Sequence, residues 1–447
     1  MIVKLISWNL NNDALCASAA RISTTKGTAI EIFDKATDSE KNKNLIAKVL
    51  SSGHTSIIEH AVFTFALENV SAFTEEFFIE CRLASFTVKS RRYVDFSGLG
   101  YYTPQDLESS DLQIYHAYMD KLFAAYNEML ENGVPKEDAR FLLPYSFNSN
   151  FYCTMNAREL IRIISEIRYG RMAAIPELCD LADQILQQTA SVFPIVNLVV
   201  ENMRDSWHLN NARDFSYPAM GELEILTESE IGKVEMLQAP TKPKEILQIA
   251  SQCYHPQKLN VVAVDEILQT NRNRELEQLT YTFHIRNITL SGITHIVRHR
   301  MQSLIIPPLT EINYNKIIVP NTIAKNPELL HRYQVVLADI ADMRKTIRTR
   351  PTLLKYQYYF ALSGNLADIL STVNGRELIH MIRLRSCNRA QWEIKNIVVA
   401  MLKLARSNYP ELFQKVGPNC FMYGKCPETR LACGKQSQTI KEFSDLK

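Results

Sequence analysis

Apolar and polar residues alternate in period two from Phe63 to Val70 and again from Tyr281 to Ile288, the spacing of half-buried strands. Each run is followed by a hydroxyl residue, Ser71 or Thr289, of the kind that caps a helix. Helical spacing runs from Leu112 to Leu130, with Gly133 as a stop, and from Leu329 to Ile347. The elements come in pairs, and the pairs share one offset. Slid along itself by 218 positions, Thr154-Met-Asn-Ala-Arg-Glu-Leu-Ile161 falls on Thr372-Val-Asn-Gly-Arg-Glu-Leu-Ile379, with six identities in eight. The same slide places Glu59 on Glu277, Thr64-Phe65 on Thr282-Phe283, Asn69 on Asn287, Arg82 on Arg300 and Ser85 on Ser303. This repeat is far longer than the roughly 20–50 residues of a solenoid unit. It reads as a whole domain, duplicated and fused.

The expected organisation is a first repeat over residues 1–200, a linker over 201–232 and a second repeat over 233–447 that ends in a cysteine-containing tail. The linker holds the irregular polar stretch Ser206–Asn211. Helices and strands alternate in each repeat, so the fold class is α/β (α+β), a sheet packed with helices, twice per chain.

Composition narrows the picture without naming a chemistry. Hydrophobic residues make up 46% and charged residues 22% of the 447, an ordinary globular balance. A net charge of +2 supplies no bulk field for nucleic acid, so any anion site must come from local arginines. Ala17-Ser18-Ala19 looks like a cleavage site, but Asn9, Asn11, Asn12 and Asp13 break the apolar region that a signal peptide needs. No apolar run reaches the roughly 18 residues of a membrane span. The expectation is a soluble, cytoplasmic protein with no nucleic-acid or membrane partner. Nine cysteines, an odd and scattered set, argue against a disulfide framework. Cys81 and Cys153 sit in apolar surroundings and read as core. The tail carries Cys420-x5-Cys426-x6-Cys433. Three sulfurs fall one short of a closed tetrahedral zinc site, so these read as free thiols and no metal is assigned.

The polar residues of the two repeats have decayed in complementary places. The first reads Glu80-Cys81-Arg82-Leu83-Ala84-Ser85 and goes on to Ser90-Arg91-Arg92; the second reads Arg298-His299-Arg300-Met301-Gln302-Ser303 and goes on to Pro307-Pro308-Leu309-Thr310. The Arg-His-Arg head survives in the second repeat alone and the Ser-x-Arg tail in the first alone. Merged, they give R-H-R-x-x-S-x-x-x-x-S-x-R. Arg140 before Phe141-Leu142-Leu143-Pro144 has Tyr358 at its register, and Arg385 has Ile167. A planar guanidinium pairs an oxyanion in bidentate fashion, so Arg92, Arg140, Arg298 and Arg385 are candidates for an anionic group. Ser90 would add a hydroxyl, and Arg91 little beyond its backbone N–H. Flanking arginines disfavour protonation of His299.

The merged pattern resembles the signature of the flavin-dependent thymidylate synthases (ThyX). Gly53-His54-Thr55-Ser56-Ile57-Ile58-Glu59-His60 is similar to that family's G-H-x-[ST]-x-x-E-H segment. Asn156/Arg158 and Asn374/Arg376 resemble its flavin-contacting helix, and Arg385 with Ala390-Gln391-Trp392-Glu393-Ile394 its L-R-x-x-x-x-A-Q-W-E-I stretch. The resemblance implies two ThyX-like domains forming a pseudo-dimer per chain, and a homodimer of chains that rebuilds a pseudo-tetramer. It implies reductive methylation of dUMP to dTMP, with FAD as cofactor and methylenetetrahydrofolate and NADPH as co-substrates. Ser90, Arg298 and Arg385 would be catalytic, and Ser90, Arg91, Arg92, Arg140, Arg298 and Arg385 would bind dUMP. His54, Ser56, Glu59, Asn156, Arg158, Arg298, His299, Arg300, Asn374 and Arg376 would bind FAD. The complementary losses point to hybrid sites fed by both repeats. Val88 stands where the family often has a glutamate near the nucleotide. That leaves open another pyrimidine nucleotide as substrate, or a non-catalytic flavin or nucleotide-binding role.

Overall fold

The structure is a computed structural model that describes residues 1–204, 221–257, 264–270 and 273–446. The Ser206–Asn211 stretch lies outside the described residues. The chain divides into two compact units. The first comprises Met1–Asn127, Leu143–Tyr217 and Asp342–Ala361; the second comprises Glu128–Leu142, Pro218–Ala341 and Leu362–Lys447. Each unit therefore takes in a short segment of the other repeat, at the end of a long helix. Those helices span Ser109–Glu131 and Pro327–Arg348, close to the ranges that periodicity predicts.

In the first unit β1 (Ile2–Trp8), β2 (Val62–Ser71), β3 (Ser85–Val88) and β4 (Asn148–Asn156) form a sheet of order β1-β2-β4-β3. In the second, β5 (Glu224–Thr227) pairs in parallel with β9 (Lys316–Val319), within the stretch expected as linker at one end. The main sheet there contains β6 (Lys233–Gln238), β7 (Thr280–Thr289), β8 (Gln302–Ile305) and β10 (Leu366–Asn374), in the order β6-β7-β10-β8. The two four-stranded sheets are antiparallel throughout.

The repeat identities become physical here. Phe63, Phe65 and Leu67, like Tyr281, Phe283 and Ile285, point into their cores and are fully buried. Thr64 meets Thr154 across the sheet at 3.0 Å, and Thr282 meets Thr372 at 3.0 Å. Both central pairings carry a bulge, and there Asn69 and Asn287 adopt left-handed backbone, with φ of 54° and 56°. Asparagine tolerates this region better than most residues. The bulged N–H groups are satisfied by Asn150 Oδ1 at 2.7 Å and Asp368 Oδ1 at 2.8 Å.

Ser71 and Thr289 cap the helices Ala72–Ile79 and Leu290–Ile296, accepting from the N–H groups of Thr74 and Gly292. Each also donates from its own N–H and hydroxyl to a buried carboxylate, Glu177 or Glu393, at 2.6–2.7 Å. The glutamate of the A-Q-W-E-I stretch therefore persists in the first repeat as Glu177. It is displaced two positions from the register that makes that stretch look lost. The exchanged segments are fastened by the same kind of contact. In the first unit Tyr359 donates to Glu177 at 2.6 Å. In the second the Trp392 indole donates to Asp138 at 2.8 Å, and Ile394 is fully buried in the core. Among the described residues, no helix is long and apolar enough to cross a membrane.

Candidate active site

In the second unit the helix Leu290–Ile296 ends immediately before Arg298-His299-Arg300. The two arginines are exposed and His299 is buried. Its ring nitrogens are both engaged: Nδ1 lies 2.9 Å from Glu377 Oε1, and Nε2 lies 3.0 Å from Arg385 Nε. An arginine Nε can only donate, so His299 Nε2 accepts and Nδ1 carries the proton that Glu377 receives. Burial pushes the His299 pKa down; Glu377 opposes this and the Arg385 charge adds to it. The imidazole is therefore neutral with one tautomer selected, held so by burial and by Arg385 rather than by the flanking arginines that the sequence suggests. Arg385 also reaches the His295 carbonyl at 3.4 Å.

Glu377 connects this group to a cavity of about 680 Å³ in the same unit. Asn374, Arg376, Glu277, His380, Arg383 and Tyr423 are among its lining. Asn374 caps the helix Gly375–Arg385, accepting from the Glu377 N–H. Arg376 pairs with Glu277 at 2.6 Å. Arg383 leans on the Tyr423 ring, its guanidinium carbon 5.6 Å from the centroid, and its Nε is buried without a hydrogen-bond partner. A buried, unpaired donor is costly unless something accepts from it. The cavity thus sets the Arg383 Nε and the Arg376–Glu277 pair beside the apolar surfaces of Ile379, Met301 and Met422, which suits a ligand that offers an acceptor and a flat ring. His299, Glu377 and His380 have ligand atoms within 4.8 Å of one another. Their donor set does not suit a metal, because the Nε2 lone pair of His299 is taken by the Arg385 cation.

The first unit keeps the frame and changes its occupants. Asn156 caps the helix Ala157–Tyr169, and Arg158 pairs with Glu59, as Arg376 does with Glu277. His54 and Ser56 are exposed beside them. The counterpart of Glu377 is Glu159, but Cys81 occupies the register of His299, so the carboxylate binds Arg162 instead, at 2.7 and 2.9 Å. Ile167, at the register of Arg385, is fully buried. Ser90 and Arg92 are half-buried in the loop after β3, where the Ser90 hydroxyl accepts from the Arg92 N–H at 3.3 Å. Arg91 is buried and paired with Glu75 at 2.7 Å, which leaves its guanidinium engaged in the core. Arg140 comes from the first repeat but belongs to the second unit. It is buried, donates to the Glu137 carbonyl at 3.1 Å, and its charge helps to hold down the pKa of Glu393, which burial raises to about 7.

Sequence reasoning missed Glu377, His380, Arg383 and Tyr423. Glu377 was in view, inside the eight-residue block shared by the repeats. The other three have no counterpart of the same type and carry no motif.

A sequence profile described as "Thymidylate synthase complementing protein" matches residues 4–195 and 235–411. A "Flavin-dependent thymidylate synthase" of Geobacter sulfurreducens is 34% identical over 200 residues, covering 44% of this chain and 85% of the relative. Another of the same description, from Sulfurisphaera tokodaii, is 28% identical over 201 residues, covering 43% of this chain and 75% of the relative. The crystal structure of a UMP/dUMP methylase, PolB from Streptomyces cacaoi bound with 5-Br dUMP, is 26% identical, with a TM-score of 0.39. It covers 45% of this chain and 94% of that one. Matched along both of its repeats, the chain belongs to the thymidylate synthase complementing protein family, with two family domains in one polypeptide.

Proposed function

We propose that the protein is a flavin-dependent thymidylate synthase that methylates dUMP to dTMP with methylenetetrahydrofolate and NADPH. The observation that carries this reading is the neutral His299, locked between Glu377 and Arg385 beside a cavity that holds the unpaired Nε of Arg383. The named activity of the relatives supports it. FAD fits this donor set. Arg383, Arg376 and Asn374 would hold it, with Arg298, His299 and Arg300 beside them, and the first repeat would offer His54, Ser56, Glu59, Asn156 and Arg158. FAD bound there would supply hydride chemistry drawn from NADPH, and the residues named would supply binding, orientation and electrostatics.

The nucleotide phosphate is assigned to Ser90, Arg92, Arg140, Arg298 and Arg385, with Arg91 limited to its backbone N–H by the pairing to Glu75. Ser90, Arg298 and Arg385 are the groups proposed to act on the nucleotide during the reaction. The reading is one of hybrid sites, served by both repeats and completed in a homodimer of chains. In its favour, Arg140 of the first repeat resides in the compact unit that also holds Arg298, His299 and Arg385. Val88, half-buried at the end of β3, favours one alternative, a different pyrimidine nucleotide as substrate. The test is dTMP formation by the purified chain given FAD, dUMP, methylenetetrahydrofolate and NADPH. Turnover of another uracil nucleotide with none of dUMP would select the alternative. Failure to bind flavin or any nucleotide would end both.

A further inference from the structure

The tail that lines the flavin cavity carries a second constellation, which the proposed reaction does not use. Cys420, Cys426 and Cys433 are the three tail sulfurs that fall one short of a tetrahedral set. The structure supplies the missing one from outside the tail. Cys387 lies just beyond the helix Gly375–Arg385, and all four cysteines line one cavity of about 200 Å³ in the second unit. All four are free thiols and all are partly shielded from solvent.

We propose that Cys387, Cys420, Cys426 and Cys433 form a structural zinc site that fastens the C-terminal tail to the loop after Arg385. Four sulfurs without nitrogen or oxygen ligands select a tetrahedral, thiophilic ion, and a closed set of four is the mark of a structural rather than a catalytic zinc. The surroundings already solvate a sulfur anion. The Asn388 amide donates to Cys433 Sγ at 3.8 Å. Asn388 is itself held by Lys395 at 2.7 Å and Thr439 at 2.9 Å, the kind of outer support that orients metal ligands. Gly424 and Gly434 adopt left-handed φ of 68° and 71°, turning the chain just before Cys426 and just after Cys433. Arg389 lines the same cavity and offsets the negative charge of an ion carrying four thiolates.

Binding converts four thiols to thiolates and releases their protons to solvent. The sulfurs must also draw together around the ion, at about 2.3 Å from it, Cys420 from the helix Asn419–Tyr423 and the other three from loop positions. The ion would hold in place the segment that presents Met422 and Tyr423 to the larger cavity.

The experiment uses the full chain, purified under reducing conditions and passed over a chelating resin, with metals measured by plasma mass spectrometry. About one zinc per chain is expected. Cys387→Ser and Cys433→Ser should lose it, while Cys253→Ser, at an exposed thiol elsewhere, should keep it. A second measurement does not depend on how the variants fold. The acid-stripped, reduced wild-type chain is titrated with cobalt(II) and should develop the charge-transfer and intense visible bands of a tetrahedral tetrathiolate ion. Zinc retained in Cys387→Ser, iron in place of zinc, a disulfide among the four cysteines, or no cobalt bands would each overturn the assignment. None of these outcomes bears on whether the chain makes dTMP.

Discussion

Removing the Glu377 carboxylate should destabilise the protein and release His299 from its single tautomer. The His299 Nδ1–H donates to Glu377 at 2.9 Å, and the two side chains are 3% and 10% exposed. In Glu377→Ala that donor is buried with no acceptor, at a cost of ~1–3 kcal/mol. In Glu377→Gln the amide oxygen still accepts, so the tautomer should survive and the loss should stay below about 1.5 kcal/mol. Asn374 bonds the backbone N–H of Glu377, so the helix cap is untouched in both variants. Glu377 also opposes the downward pKa shift that burial and Arg385 impose on His299, so its removal should lower that pKa further. The folded-state pKa already lies below the unfolded value of about 6.5. Folding therefore favours the neutral ring: this contribution is fully present above that value and is lost as pH falls through the folded pKa. In Glu377→Ala the loss should extend to lower pH. Urea unfolding gives the free energies, and long-range proton–nitrogen spectra of labelled histidine give the tautomer. A wild-type His299 that titrates near 6.5 with its proton on Nε2 would refute the reasoning, as would Glu377→Ala as stable as wild type.

Other outcomes follow from the same geometry. Arg298→Met and Arg385→Met should each weaken dUMP binding by about 1.5–3 kcal/mol per charged hydrogen bond lost, measured by calorimetry. Tyr358→Phe, at the register of Arg140, should change it little; equal losses would defeat the hybrid-site reading. Glu177→Ala and Glu393→Ala each strip acceptors from a buried N–H and a buried hydroxyl, so each should lower the unfolding free energy by at least ~2 kcal/mol. Burial raises the Glu393 pKa to about 7, so folding binds a proton there more tightly than the unfolded chain does. Its contribution should fall as pH rises from about 4.5 to about 7 and be absent from Glu393→Gln; identical pH profiles would contradict it. Sedimentation should give twice the chain mass, and a fully active monomer would exclude the proposed assembly.

The duplication, the strands and the long helices were legible because burial writes itself as periodicity. Phe63, Phe65 and Leu67 have to alternate with smaller or polar neighbours to fill one face of a sheet. Asn69 and Asn287 were legible as identities but not as causes, because a bulge leaves no periodic mark. The exchange of segments was not legible at all. Nothing in the composition of residues 128–142 tells which core they enter, and Arg140 therefore reads from sequence as a resident of its own repeat. Cys387 was hidden for a related reason. It is far from the tail cysteines along the chain, and a count of spacings cannot see a ligand contributed by another loop.

What separates the two units is confined to side chains mounted on one shared frame. The capped helix, the Glu–Arg pair beside it and the buried carboxylate at the end of β2 or β7 recur in both. The frame is expensive to change, since each of its buried carboxylates satisfies donors that would otherwise be stranded. The positions it presents are not. Where the second unit has His299 on Glu377, the first has Cys81, and Glu159 is satisfied by Arg162 instead. That substitution leaves no buried charge alone, so it carries little penalty to folding. A duplicated chain can therefore lose half of a site in each copy and remain equally well folded. Under the proposed hybrid-site reading the restriction comes from chemistry: an anion still needs its full set of cations, and Arg298 and Arg385, replaced by Glu80 and Ile167 in the first repeat, must be kept by the second.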